Sequence, residues 1–377
     1  MKKLFLILLV SVSIVATQAQ KPWKKGIVVD EFICDNPPFP ESHASTIAET
    51  PQGLIAAWFG GTKERNPDVC IWVSQKKNGL WTKPQNVANG IINDTLRYAC
   101  WNPVLYQVPG GELWLFYKVG PNVAGWKGWM LRSKDNGNTW SSPEALPDGF
   151  LGPIKNKPVM IDGKIICPSS TEAGGWRAHF EVTDVNAKTW QMIGPINDGK
   201  TLSFIQPSVL NYKDGSLQAL GRSKDRAIVE SWSHDRGNTW SAIAATDMHN
   251  HNSGTDAVTL KDGRQLLVYN HVRPADSLKN GKGARTPLNI AVSKDGKTWY
   301  AAAIMEDSPV SQYSYPSVIQ SKDGMVHIVY TWRRKKIKYV MLDPSKLEIK
   351  KIIKGEWPAM KGYDAPKAGS EIDASDK

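Results

Sequence analysis

Six times along this chain an apolar run breaks at a glycine turn and resumes, and five times a tryptophan closes a polar turn between those hairpins. The hairpins read "STIAETPQGLIAAWF", "PVLYQVPGGELWLFY", "PVMIDGKIICP", "PSVLNYKDGSLQAL", "DAVTLKDGRQLLVY" and "PSVIQSKDGMVHIVY". Their turn glycines, Gly53, Gly111, Gly163, Gly215, Gly263 and Gly324, stand 58, 52, 52, 48 and 61 residues apart. Glycine tolerates the positive φ that tight hairpins demand, and the β-rich runs on either side predict strands. The polar turns end at Trp81, Trp140, Trp190, Trp240 and Trp299, spaced by 59, 50, 50 and 59 residues. Each repeat therefore holds two hairpins, or four strands. A four-stranded unit of roughly 50 residues cannot bury both faces alone, and the radial stacking of such units is a β-propeller. The expected fold is all-β, a six-bladed β-propeller with four-stranded blades.

The polar turns are near copies of one another: "SKDNGNTW" (Ser133 to Trp140), "SHDRGNTW" (Ser233 to Trp240) and the shorter "SKDGKTW" (Ser293 to Trp299), with looser relatives "SQKKNGLW" and "TDVNAKTW". In such a turn the Asp accepts backbone N–H bonds, the Gly supplies the special φ and the Trp packs between strands. Three like copies on three blades are a poor way to build one asymmetric active site, so the turn reads as frame and chemistry is sought elsewhere. The sixth unit lacks a Trp turn and runs out at "KIKYVMLDP", while the early stretch "GIVVDEFIC" has no partner of its own. Pairing the two would close the ring and remove its open edges.

The chain ends bound the rest. Lys2 and Lys3, an apolar run from Leu4 to Ala16 and the small-residue pattern Thr17-Gln18-Ala19 read as a signal peptide over 1–19, cleaved near Ala19. The expected layout is a leader at 1–19, the propeller at 20–362 and a polar tail at 363–377, in an exported protein, periplasmic or secreted. No later apolar run is long enough for a membrane span. The net charge of +11 suits an anionic ligand or a soluble surface, and the export signal disfavours nucleic acid. Cys34, Cys70, Cys100 and Cys167 lie too far apart for a CxxC motif and read as small buried thiols. "HNHNSGTDAV" offers His249, His251 and Asp256, but an H-x-H without a third fixed ligand is no metal site. Neither a metal nor a cofactor is expected.

The S-x-D-x-G-x-T-W copies resemble the Asp-box (BNR) repeats of the sialidase, or neuraminidase, superfamily, over nearly the whole mature chain. The resemblance implies a site at the mouth of the ring, with three arginines on the substrate carboxylate, an Asp acid/base and a Tyr nucleophile activated by a Glu, a recognised exception to two-carboxylate chemistry. By that resemblance "YSYPSVIQSKDG" places Tyr315 at the nucleophile, and "RNPDVCIWVS" places Asp68 at the acid/base. The arginine triad departs from the pattern. His43 in "SHASTIAETPQGL" stands where the first arginine would be, and Ile228 or Val229 and Ala291 occupy the other two positions, with Arg222, Arg226 and Arg285 close but out of register. Gln206 in "IQPSVLNYKDG" replaces the Glu.

Ring geometry adds to this reading, because the residue just before each inner strand points toward the axis. That rule gathers His43, Asn102, Lys157, Gln206, Thr255 with Asp256, and Tyr315 at one mouth, with Arg97, Lys118, Arg222, His271 and Arg333 beside it. A pocket with convergent polar groups is the default site. The catalytic candidates are Tyr315, Asp68 and His43. The substrate-binding candidates are Gln206, Arg222, Asn102, Lys157, Arg97, Asp256 and Arg333. Each has a bland alternative: His43 bonding a neighbour, Tyr315 filling core, Asp68 capping a turn. The expected partner is an acidic oligosaccharide or polysaccharide. The expected activity is exo-acting glycoside hydrolysis on sialic or uronic acid-containing glycans, as a sialidase-like hydrolase would perform. The alternatives are a uronate lyase using His43 and Tyr315, and a glycan-binding propeller without catalysis.

Overall fold

A computed structural model describes residues 22–277, 283–310, 312–360 and 363. The leader expected at 1–19 and nearly all of the tail expected at 363–377 lie outside the described residues. The six glycine hairpins are the first two strands of six antiparallel sheets, each continued outward by two more strands. The first strands are Glu41–Thr50, Cys100–Gln107, Val159–Ile161, Ile205–Asn211, Asp256–Thr259 and Tyr313–Gln320, in blades 1 to 6. These strands face one another around the axis of a six-bladed β-propeller. Blade 6 is completed from the other end of the chain: Ile27–Phe32 runs antiparallel to Lys336–Leu342, pairing Ile27 with Leu342 and Phe32 with Lys338. The short strand Lys350–Lys351 adds a fifth strand to the rim of blade 5.

The core is not central but divided among six seams, each with its own buried cluster shared by two neighbouring blades. Ile71 and Leu115 meet between blades 1 and 2. Val104 and Ile165 meet between 2 and 3, and Phe180 and Leu217 between 3 and 4. Tyr269 and Leu220 meet between 4 and 5, Leu266 and Val318 between 5 and 6, and Val329 and Ile47 at the closing seam. Burial of each large aliphatic side chain contributes about 1.5–3 kcal/mol, so a blade left without a neighbour on one side would lose an entire cluster. The four cysteines are free thiols, three of them buried.

The acidic turns hold the far face of the ring. Asp135 accepts from the Thr139 N–H at 2.8 Å and the Thr139 hydroxyl at 2.6 Å, while Ser133 bonds both Asp135 and the Gly137 N–H. Those bonds, the Thr139 hydroxyl first, hold its carboxyl at about 2. Gly137 has φ 90° and lies so close to Ile55 that a Cβ would approach it to 2.4 Å, so glycine is required twice over. Trp240 of the blade 4 turn stacks on Phe180 of blade 3 at 4.1 Å between centroids. The tryptophans are therefore inter-blade wedges.

The opposite face is built differently. In blades 1, 2, 4 and 6 the first strand carries a bulge near its start, two residues facing one on the second strand. The register slips between His43 and Thr46, opposite Phe116 and Lys118, between Ile205 and Ser208, and between Ser314 and Ser317. At each bulge one residue has a left-handed backbone: Ala44 (φ 52°), Asn102 (φ 24°), Gln206 (φ 53°) and Tyr315 (φ 53°). In three of the four the next residue is Pro103, Pro207 or Pro316, which has no N–H to lose where the ladder is broken. A bulge re-aims side chains, and non-glycine residues at positive φ concentrate at working sites.

Candidate active site

Tyr315 sits at the bulge of blade 6, and a polar cluster converges on it. Arg222, at the end of the second strand of blade 4, donates to the Tyr315 hydroxyl at 2.7 Å and to Gln206 Oε1 at 3.2 Å. Around the Tyr315 ring stand the Arg222 guanidinium at 5.5 Å, that of Arg285 at 5.6 Å and Lys155 Nζ at 5.8 Å. Such distances suit cation–π attraction. Gly254 lies against one face of the ring, where a Cβ would come within 3.3 Å. The His43 ring packs against Tyr315 at 4.2 Å between centroids.

His43 reaches across the closing seam: its Nδ1 pairs with Thr331 Oγ1 at 2.9 Å, and Nε2 has no partner among the described residues. Burial lowers its pKa well below 6.5, and Arg334, Arg285, Arg222 and Lys155 push the same way. It is a neutral imidazole. His251, on the loop entering blade 5, is a second one. Only 1% exposed, it has no partner for either ring nitrogen and is lowered first by burial and then by Arg285 and Arg222. The hydroxyls of Ser253 and Thr255 and the Arg222 Nε are likewise buried without a protein partner. Unsatisfied groups gathered in this way are what a ligand would satisfy.

Not every sequence-chosen residue joins the cluster. Tyr315, His43, Gln206 and Arg222 do. Asn102 occupies the blade 2 bulge, with no side-chain hydrogen bond among the described residues. Lys157 forms an ion pair at 3.0 Å with the buried Asp256, which also accepts from Ser208 Oγ and Val318 N, both at 2.8 Å. They tie blades 3 to 6 together around the axis. The neighbouring Lys155, not Lys157, faces Tyr315. Its Nζ donates to Asn156 Oδ1 and the carbonyls of Thr255 and Pro316, and burial draws its pKa down to about 7 against the pull of Asp256.

Asp68 caps its own loop, accepting from the Thr62 N–H and hydroxyl, both at 2.8 Å. Arg97 lies on the small hairpin between blades 1 and 2, bonded to the Asn89 carbonyl and Cys70 Sγ. Neither is bonded to the Tyr315 cluster. Arg333 points to Tyr313 and Ser308, both at 3.2 Å, and stacks on Trp332. Arg334 takes its place near His43, ion-paired with Glu64. Both arginines have left-handed backbones at the tip of one hairpin, so successive side chains leave in opposite directions. Lys118 is buried beneath, bonded to the Pro153 carbonyl. His271 bonds Tyr269 Oη at 2.7 Å and packs on Trp357, away from Tyr315.

Sequence reasoning thus missed Lys155, His251 and Arg334 and left Arg285 out of register. His251 offered a signal in "HNHNSGT", which read only as an unconvincing metal pair. The assembled mouth holds three arginines, the buried amine of Lys155, two neutral imidazoles, a phenol and an amide. Among the described residues no carboxylate hydrogen-bonds to Tyr315 or His43. This arrangement can bind an anion and neutralise developing negative charge.

Comparison with known proteins agrees with the fold. Residues 52–328 match the family described as BNR repeat-like domain. An anhydrosialidase from Macrobdella decora is 26% identical over 255 residues, covering 60% of this chain and 31% of that protein. A sialidase from Paraclostridium sordellii is 27% identical over 240 residues, covering 54% of this chain and 56% of that protein. The matched region thus spans between about a third and somewhat over half of those relatives. A protein of unknown function from Dyadobacter fermentans has the same fold, with a TM-score of 0.66 at 19% identity over 84% of this chain and 99% of its own.

Proposed function

Since the chain belongs to the BNR repeat-like family of sialidase-like propellers, we propose that it is an exported, exo-acting glycoside hydrolase that removes a terminal acidic sugar, sialic or uronic, from a glycan. The observation that carries this reading is the Arg222 bond to the Tyr315 hydroxyl inside a ring of further cations. Arg222 and Arg285 hold the sugar carboxylate, where a planar guanidinium makes paired, charge-assisted bonds. The Tyr315 oxygen attacks the anomeric carbon, its proton passes to His43, and the bond to the leaving oxygen breaks as an acid protonates that oxygen. Water then displaces the tyrosine with the proton flow reversed.

In this scheme a neutral imidazole takes the proton that a carboxylate takes in the sialidase pattern, which accounts for Gln206 standing where Glu would. Asp68 serves as the acid once its Thr62 cap opens. Asp68→Asn tests that role: unchanged turnover removes Asp68 from the mechanism and passes the acid to His43 or His251.

A second reading, β-elimination on a uronate, is favoured by one feature, the His43 ring packed on Tyr315 with no carboxylate bonded to either. There one group takes the proton beside the sugar carboxylate, the other protonates the leaving oxygen, and the arginines neutralise the enolate. The deciding experiment incubates the protein with sialosides and uronate-containing oligosaccharides, following reducing ends, free sialic acid and the ultraviolet absorbance of an unsaturated uronate. Reducing ends without absorbance support hydrolysis, and rising absorbance supports elimination. Silence in every channel, with binding retained, reduces the mouth to a glycan-binding site.

A further inference from the structure

The acidic turn of blade 5 lacks the residue that its counterparts carry between Asp and Gly, and the seam beside it is open. In blade 2 the turn reaches over to blade 1: Gln75 donates to the Asn136 carbonyl at 3.1 Å, and Asn138 donates to Gln52 at 3.0 Å. In blade 4, Arg236 occupies the same place and binds Asp162 of blade 3 through two bonds of 2.9 and 3.0 Å. That seam keeps a cavity of about 70 Å³. In blade 5 Gly296 follows Asp295 directly; Gln218 of blade 4 donates to its carbonyl at 3.0 Å, but no turn side chain crosses as Arg236 does, and a groove of about 910 Å³ opens beside that contact against blade 4. It lies among the hairpin turns and acidic turns, on the face opposite Tyr315.

Tyr212 and Trp232 line this groove, their rings 5.1 Å apart. Both rings are fixed by their polar ends. Tyr212 Oη donates to Gln218 Oε1 at 2.5 Å, while Gln218 Nε2 and Trp232 Nε1 donate to Glu230 Oε2 at 2.6 and 3.1 Å. An aromatic surface held in this way loses little freedom on binding.

The charge of the rim is lopsided. Asp214, Asp262 and Asp295 are each spent within their own turns, on Ser216, Arg264 and Thr298. Lys213, Lys294 and Lys297 are exposed, and among the described residues none of their ammonium groups has an ion pair or hydrogen bond. Lys297 Nζ stands 5.9 Å from the centre of the Trp232 ring.

We propose that this groove is a second carbohydrate site, which takes a stretch of an acidic glycan. The C–H faces of pyranose rings lie on Trp232 and Tyr212, and carboxylate groups along the chain meet the three unpaired lysines. Its volume falls within the range of about 300–1,000 Å³ usual for ligand sites. The proposal does not depend on which reaction the mouth performs.

The test titrates oligomers of galacturonic acid and of sialic acid into Tyr315→Phe protein, which removes turnover, and into the same protein carrying Lys213→Glu, Lys294→Glu and Lys297→Glu. The expected result is a second binding event in the first protein, weakened at least tenfold by the lysine reversals while binding at the mouth persists. Trp232→Leu, checked for an intact fold by thermal melting, weakens the same event. Absence of a second event, or one indifferent to the lysine reversals, overturns the site. Equal binding of a neutral malto-oligosaccharide overturns the acidic-sugar assignment. Displacement by polyglutamate as effective as by the sugars, or indifference to Trp232→Leu, reduces the groove to a charge patch and overturns the carbohydrate assignment. A mouth-disabled Arg222→Met protein that retains the groove event separates failure of this proposal from failure of the catalytic one.

Discussion

The two faces of this ring are made from the same six blades by opposite means. On one face the blades repeat themselves: Asp135 and Asp235 make the same bonds to Thr139 and Thr239, and both are held at about 2. On the other face the corresponding positions all differ, Ala44, Asn102, Gln206 and Tyr315 standing at four bulges of like geometry. The Asp and Ser side chains of the repeated turns are satisfied within their own turns, whereas the varied face leaves the His251 nitrogens and Arg222 Nε buried without partners. In a repeat protein, repetition marks what every blade needs to stay docked. Divergence at equivalent positions marks what only one site needs.

The largest difference between the faces should show when one residue of the varied face is mutated and activity alone responds. Tyr315→Phe should lower kcat on an acidic glycoside by about 10³-fold or more, as loss of a nucleophile does, with little change in melting temperature. If activity survives, the mouth is not where chemistry occurs. His43→Ala should cost ~10²–10⁴-fold in kcat/KM if His43 moves the proton. Because its pKa is lowered well below 6.5, kcat/KM of the natural protein should show no His43 limb as pH falls through 6.5. Arg222→Met should act chiefly on KM, raising it by about 10- to 100-fold for a carboxylated substrate, and lysine at that position should rescue it incompletely because it cannot form the planar fork.

Two smaller effects sharpen the contrast through stability. His43 and His251 are held well below 6.5, His271 at about 3 and His327 at about 4, each mainly by burial. Their folded pKa values are depressed, so the unfolded chain binds more protons in this window. Their contribution is complete above about 6.5 and is lost as pH falls from there toward the folded values, by up to about 1.4 kcal/mol per pH unit for each histidine. Urea midpoints measured from pH 7.5 down to 5 should decline progressively, and a flat profile would show that these imidazoles accept protons while folded. Asp135→Asn, on the repeated face, should lower the melting temperature measurably and leave kcat/KM unchanged, the converse of Tyr315→Phe.

Much of the frame was legible because hairpins and acidic turns are local. Glycine after Asp, apolar alternation and a tryptophan at fixed spacing each act within a dozen residues, so six blades, their order and the closure by Ile27–Phe32 follow from counting. The mouth was legible only in part. Tyr315, Gln206 and Asn102 precede a proline that marks the bulge, and in blade 1 Ala44 holds the matching place with His43 just before it. The choice between neighbours was not legible. Lys155 and Lys157 are alike in sequence, but one lies under Tyr315 and the other on Asp256. Arg333 and Arg334 stand side by side, yet the left-handed hairpin tip sends one to Tyr313 and the other toward His43.

The ring follows from the residue pattern alone, because periodic apolar strands that no single blade can bury leave few other solutions. That pattern also determined which face is frame, since the acidic turn is completed by its own residues. The site depends on packing between blades. A bulge turns a side chain through contacts made on another strand, and three basic side chains from three blades become neighbours only when the ring closes. The open seam belongs to the same class: a single missing residue is visible in "SKDGKTW", but the groove it leaves depends on Tyr212 and Trp232 of the neighbouring blade, some sixty residues or more away. Local interactions are written where they act. A site is written in pieces whose distances only packing can set.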